Sequence, residues 1–99
     1  MSYNLYKEGK TVEEIAIIRN LKPLTIEDHL IYCAKLGYEI NFYDFLTVEH
    51  EELIINKYNE LNTNKLKPIK EALPPEITYG EIKFALTKMQ LENTINHKS

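Results

Sequence analysis

Ninety-nine residues, 43% hydrophobic and 27% charged, describe one globular domain and exclude a disordered segment. Twelve Lys/Arg against fifteen Asp/Glu leave a net charge of −3, which speaks against a tight, dedicated nucleic-acid binder, because phosphate neutralisation supplies most of such a protein's affinity. No apolar run reaches the roughly 18–20 residues of a membrane span, the start carries no secretory signal, and the one cysteine, Cys33, has no disulfide partner, so a cytoplasmic chain is expected.

Taken in chain order, Ser2 to Glu8 reads as a short helix with Ser2 as its cap and Leu5 and Tyr6 as its apolar contacts. After Gly9, Thr11 and Glu14 form a capping box that opens a helix carrying Ile15, Ala16 and Ile18 on one face. Asn20 ends it, since asparagine tolerates the left-handed backbone needed there. Leu21 to Leu24 reads as a turn, Thr25 as the cap of the next helix, and Ile26, Leu30, Cys33 and Ala34 as its buried stripe, closed by Gly37. Tyr38 to Phe45 alternates apolar and polar residues without a second such run to pair with, which predicts an extended link.

Thr47 opens a further helix with Glu49, Glu51 and Glu52 near its positive end and Leu53, Ile54, Tyr58 and Leu61 inward. Asn62-Thr63-Asn64 breaks it. Leu66, Ile69 and Leu73 follow at helical spacing, with Pro68 tolerated in the first turn, before Pro74-Pro75. The last helix begins at Thr78, with Glu81 completing a second capping box and Ile77 stapled to Ile82, and Ile82, Ala85, Leu86 and Met89 facing the core. The expected fold is all-α, about six short helices forming one domain over residues 1–91, with 92–99 a polar, frayed tail.

The segment from Lys10 to Leu30 carries the functional information. Two helices joined by a tight turn, with a small residue (Ala16) where they cross and Ile26 ten residues later as an anchor, describe a helix-turn-helix. Glu14-Ile15-Ala16 followed by Thr25-Ile26-Glu27-Asp28-His29-Leu30 resembles the signature of LuxR-type response regulators and of sigma-factor region four. A longer resemblance runs through Lys7 to Lys10, Glu14 to Ala16, Arg19, Leu21, Thr25, Ile26, His29 and Leu30, then Leu66 to Leu73, Pro74, Tyr79, Glu81 and Ile82. It is similar to the small helix-turn-helix domain at the C-terminus of some bacterial RecQ-type DNA helicases and their accessory proteins.

That resemblance implies a non-catalytic auxiliary domain, nucleoid-associated, acting in DNA repair or recombination with the rest of such a helicase or an associated protein. The sequence itself has no glycine-rich phosphate loop and so no nucleotide hydrolysis of its own, and no cofactor or metal is implied. The residues expected to touch DNA are Arg19, Lys22, Thr25 and His29, with Lys10 and Lys35 on the flanking backbone. Glu27 and Asp28 in the first turn of the second helix repel phosphate, so the expected binding is weak and without sequence preference. Two alternatives stand beside it: a protein-docking module using the same helices, and a sequence-specific transcription regulator.

Other constellations have plain explanations. His29 and Cys33, four apart, lack further metal ligands or an orienting group, so a local hydrogen bond and a core thiol are expected. Asp44, Glu49, Glu51 and Glu52 fit dipole compensation at a helix start better than a cation site. Lys65, Lys67, Lys70, Lys83 and Lys88 read as a solvated face more than a phosphate strip, and the seven tyrosines include one or two interface candidates among Tyr3, Tyr6, Tyr32 and Tyr43.

Overall fold

The computed structural model describes residues 2–63 and 65–98, with side chains to Asn93. It is all-α: six α-helices and one 3-10 turn, with no strand among the described residues. Residues 1–40 and 41–99 form two compact units.

The first unit holds α1 (Ser2–Lys7), α2 (Val12–Arg19) and α3 (Pro23–Lys35), each packed on the other two. The capping box at α2 forms in full: the Glu14 amide donates to Thr11 Oγ1 at 3.1 Å and the Thr11 amide to Glu14 Oε1 at 2.9 Å. Asn20 ends α2 at φ 54°, and the Leu21 amide reaches back to the Ala16 carbonyl at 2.9 Å. Gly37 does the same for α3 at φ 100°, where an added Cβ is strained by the backbone itself: Gly37 and Tyr38 donate to the Ala34 and Cys33 carbonyls, a Schellman closure. Ile15, Ala16, Ile26, Leu30, Cys33 and Ala34 are buried as their spacing predicts. Tyr3 then ties α1 to the chain beyond α3, its ring 5.0 Å from Tyr38 and its hydroxyl donating to the Glu39 carbonyl at 3.1 Å.

Three expectations for this unit need correction. Ser2 lies inside α1, fully buried, with its hydroxyl engaged on α2 and α3 rather than capping. Ile18 is 55% exposed, because it follows Ile15 and Ala16 around a helix whose inner face is narrow. And α3 starts two residues before Thr25: Pro23 occupies its first turn, where a missing amide costs nothing, while Lys22 takes the cap position without a side-chain bond.

The second unit opens where Asn41 accepts from the Tyr43 amide at 3.1 Å and bends the expected extended link into a 3-10 turn, Phe42–Asp44. Then come α4 (Val48–Leu61), α5 (Leu66–Glu71) and α6 (Tyr79–Lys98), α4 and α5 each packing on α6 and on one another. Thr47 caps α4 and Asn62 ends it at φ 50°, while Pro68 falls in the first turn of α5. The capping box of Thr78 and Glu81 forms, and Ile77 and Ile82 are both fully buried, as a hydrophobic staple requires.

The core of this unit is Ile54, Ile69, Ile77, Ile82, Ala85 and Phe84, with Phe84 stacked on Phe45 at 4.3 Å and edge-on to Phe42 at 6.2 Å. Each large aliphatic or aromatic side chain buried there contributes about 1.5–3 kcal/mol. In α4 only Ile54 is buried; Leu53 and Leu61, expected inward, are exposed, because α5 and α6 cover a narrower stripe than the sequence pattern offers.

Candidate nucleic-acid interface

Five of the six residues expected to meet DNA separate into two groups, with Thr25 apart from both. Lys10, Lys22 and Lys35 are exposed: Lys10 just before α2, Lys22 at the start of α3 and Lys35 at its end. Arg19, also exposed, and the half-buried His29 converge on one another. Arg19 Nη1 donates to Ser2 Oγ at 2.6 Å and lies 3.3 Å from His29 Nδ1, and Ser2 Oγ is 3.1 Å from the same nitrogen. A guanidinium only donates, so the consistent assignment has Ser2 accepting from Arg19 and donating to His29, whose Nδ1 carries a lone pair and whose proton sits on Nε2.

This triad joins all three helices and lines a cavity of about 230 Å³ together with Tyr32 and Cys33. Periodicity carried the signal for it. Arg19 follows Ile15 by four residues and His29 follows Ile26 by three, so each borders the buried stripe of its helix, Arg19 exposed and His29 half-buried. Thr25, the sixth residue, is half-buried within the first turn of α3 and caps nothing.

On α3 the outward positions are Leu24, Asp28, Tyr32 and Lys35, with Glu27 half-buried. The face that enters a groove in a helix-turn-helix protein is therefore mixed in charge and partly apolar. Beside it runs a groove of about 470 Å³ lined by Glu13, Ala16, Ile17, Asn20, Leu21 and Pro23, in which Ile17 is 81% exposed. Residue types alone did not announce this groove.

In the second unit the basic strip is largely committed. Lys88 bonds Glu51 at 3.0 Å and Glu92 at 2.9 Å and lies 5.5 Å from the centre of the Tyr43 ring. The Glu92 and Glu51 carboxylates hold its ammonium well above the ordinary lysine range, against the opposing effect of burial. Burial pushes the Glu51 carboxyl up, but bonds from Tyr43 (2.6 Å) and Lys88 outweigh it and keep the group ionised more readily than usual. Lys70 lies 5.9 Å from the centre of the Tyr79 ring.

His50 Nδ1 meets Glu81 Oε2 at 2.7 Å, joining the N-termini of α4 and α6. That bond raises the imidazole's affinity for a proton, burial opposes it, and Glu76 and Glu49 assist. Among the described residues no three His, Cys, Asp or Glu side chains gather as metal ligands, and no helix is long and apolar enough to cross a membrane.

Comparison with known proteins agrees with the geometry of the first unit. A family described as a helix-turn-helix domain matches residues 1–86. Protein YpbB of Bacillus subtilis (strain 168) is 32% identical over 87 residues, covering 88% of this chain, and the chain spans 25% of that relative's length. No solved structure matches. With the capped α2, the left-handed turn at Asn20 and the buried Ile26 of α3 all in place, the chain belongs to this helix-turn-helix domain family.

Proposed function

We propose that this domain is a non-catalytic module that binds the DNA backbone, serving a RecQ-type helicase in repair or recombination. The observation that carries the DNA reading is the set of exposed cations, Lys10, Lys22 and Lys35, distributed around the helix-turn-helix. Lys22 and Lys35 make no ion pair among the described residues, while Lys10 lies within the field of the Glu14 carboxylate at the start of α2. The acidic character of Glu27 and Asp28 opposes tight binding and offers little to base edges, which supports weak association without sequence choice. The assignment to a RecQ-type helicase rests on the motif resemblance from Lys7 to Ile82.

Fluorescence anisotropy with duplex, single-stranded and forked DNA at about 50 and 200 mM salt tests it. Micromolar binding that weakens with salt is expected, with the slope reduced by about one for each phosphate that Lys22→Ala or Lys35→Ala leaves without its cation. Absence of binding at the lower salt would refute the DNA reading. Preference for the fork supports the helicase assignment, and equal affinity for all three DNAs removes that support. A second reading, protein docking, is favoured by one observation: the exposed apolar groove beside α3.

A further inference from the structure

The cavity where α1, α2 and α3 meet is lined by Ser2, Arg19, His29, Tyr32 and Cys33, with no aspartate or glutamate among them. Its strongest acceptors are spent internally. The Ser2 hydroxyl accepts from Arg19 Nη1 and donates to His29 Nδ1, whose lone pair is thereby used. What the lining keeps is chiefly donors. Arg19 Nη2 and Nε, His29 Nε2–H and the Tyr32 hydroxyl make no hydrogen bond among the described residues. A concave site with unspent donors and a guanidinium, and without a carboxylate, selects an anion.

We infer that this cavity binds a terminal phosphate, one with three free oxygens, through Arg19 and His29 with Tyr32 beside them. Its size favours a group over a whole ligand. About 230 Å³ lies below the roughly 300–1,000 Å³ of pockets that enclose drug-sized molecules, so the phosphate enters and its carrier stays outside. Ser2 and Cys33, both buried, close the cavity inward. A phosphate within a strand has chain leaving from two of its oxygens and does not enter a closed end, whereas a terminal one offers three oxygens to a guanidinium fork and a histidine N–H. Tyr32 lines the cavity and is 63% exposed, so its ring also offers a face to solvent, where the last base of a DNA strand can stack. A strand end is thus one source of the phosphate, and that source rests on the DNA reading above. Free inorganic phosphate presents the same chemistry and is the other.

Nitrogen–proton NMR of the full chain tests this with inorganic phosphate from about 0.1 to about 20 mM, against chloride at matched ionic strength. The expected result is saturable movement of the Arg19 Nε–H signal and of the His29 and Tyr32 amides, absent with chloride. Tyr32→Glu sets a carboxylate at an exposed position, so it should weaken phosphate binding at least about tenfold and leave helical circular dichroism unchanged. Arg19→Lys keeps the charge, loses the fork and should weaken binding about five- to tenfold. A single-stranded oligonucleotide then identifies the source. Ending in a phosphate, it should bind about tenfold more tightly than the same strand ending in a hydroxyl, and Tyr32→Glu should erase that difference. Equal affinity of the two strands, with inorganic phosphate still bound, supports the site and assigns it to free phosphate. No saturable movement with either phosphate or the phosphorylated strand overturns the inference, and so does binding that both substitutions leave unmoved. Failure of duplex binding through Lys22 and Lys35 does not touch the inorganic phosphate titration, so the two proposals fail separately.

Discussion

Replacing Arg19 by alanine separates a phosphate ligand from a structural clamp. In the fold, Arg19 Nη1 donates to Ser2 Oγ at 2.6 Å, and Ser2 is only 1% exposed while Arg19 covers it. Ser2 keeps its bond to His29 and is not wholly orphaned, which places the cost at about 1–2 kcal/mol rather than at the full penalty of an unsatisfied buried group. For a domain of this size that corresponds to a fall of about 4–16 °C in melting temperature, read by circular dichroism at pH 7.5. Lys22→Ala, which removes an exposed cation without a partner, should change stability by no more than about 0.5 kcal/mol.

The decisive comparison is Arg19→Ala in a Ser2→Ala background, where its cost should fall below about 0.5 kcal/mol because the shared bond has already gone. An Arg19→Ala protein that melts with the natural chain, or one equally destabilised in both backgrounds, would refute the clamp. DNA affinities of Arg19 variants are therefore best compared well below their melting temperatures.

Two further outcomes are expected. The bond from Glu81 raises the His50 pKa in the folded state above its unfolded value, so its stabilisation is complete below about pH 6.5 and is lost as pH rises through the folded value. Urea unfolding between pH 6 and 8.5 should show a decline of about 0.5–1 kcal/mol, absent in His50→Gln; the same slope in that variant would assign it elsewhere. Asn20 holds a left-handed backbone at φ 54°, so Asn20→Ala should destabilise by about 1 kcal/mol while Asn20→Gly is neutral or stabilising. Equal melting of the Ala and Gly variants would contradict that account.

Local chemistry made much of this protein legible from its residues alone. Thr11 with Glu14 and Thr78 with Glu81 mark helix starts because the bonds they make span three residues and need no distant partner. Asn20 and Gly37 mark helix ends because few residues accept a left-handed backbone. The buried stripes of Ile15, Ala16, Ile26 and Leu30 follow from a 3.6-residue period, and with them the helix-turn-helix.

What the tertiary structure alone decided are the matters that need two distant segments. Whether Leu53, Leu61 and Ile18 are buried depends on how wide a face the neighbouring helices cover, and a one-dimensional pattern does not contain that width. Ser2 looked like a cap until the fold brought Arg19 and His29, 17 and 27 residues away, onto its hydroxyl. The sequence offered those two residues as DNA ligands, and only the meeting of α1, α2 and α3 showed that they also bond one another through Ser2. Ile17 is decided in the same way: it is 81% exposed because no helix crosses over it.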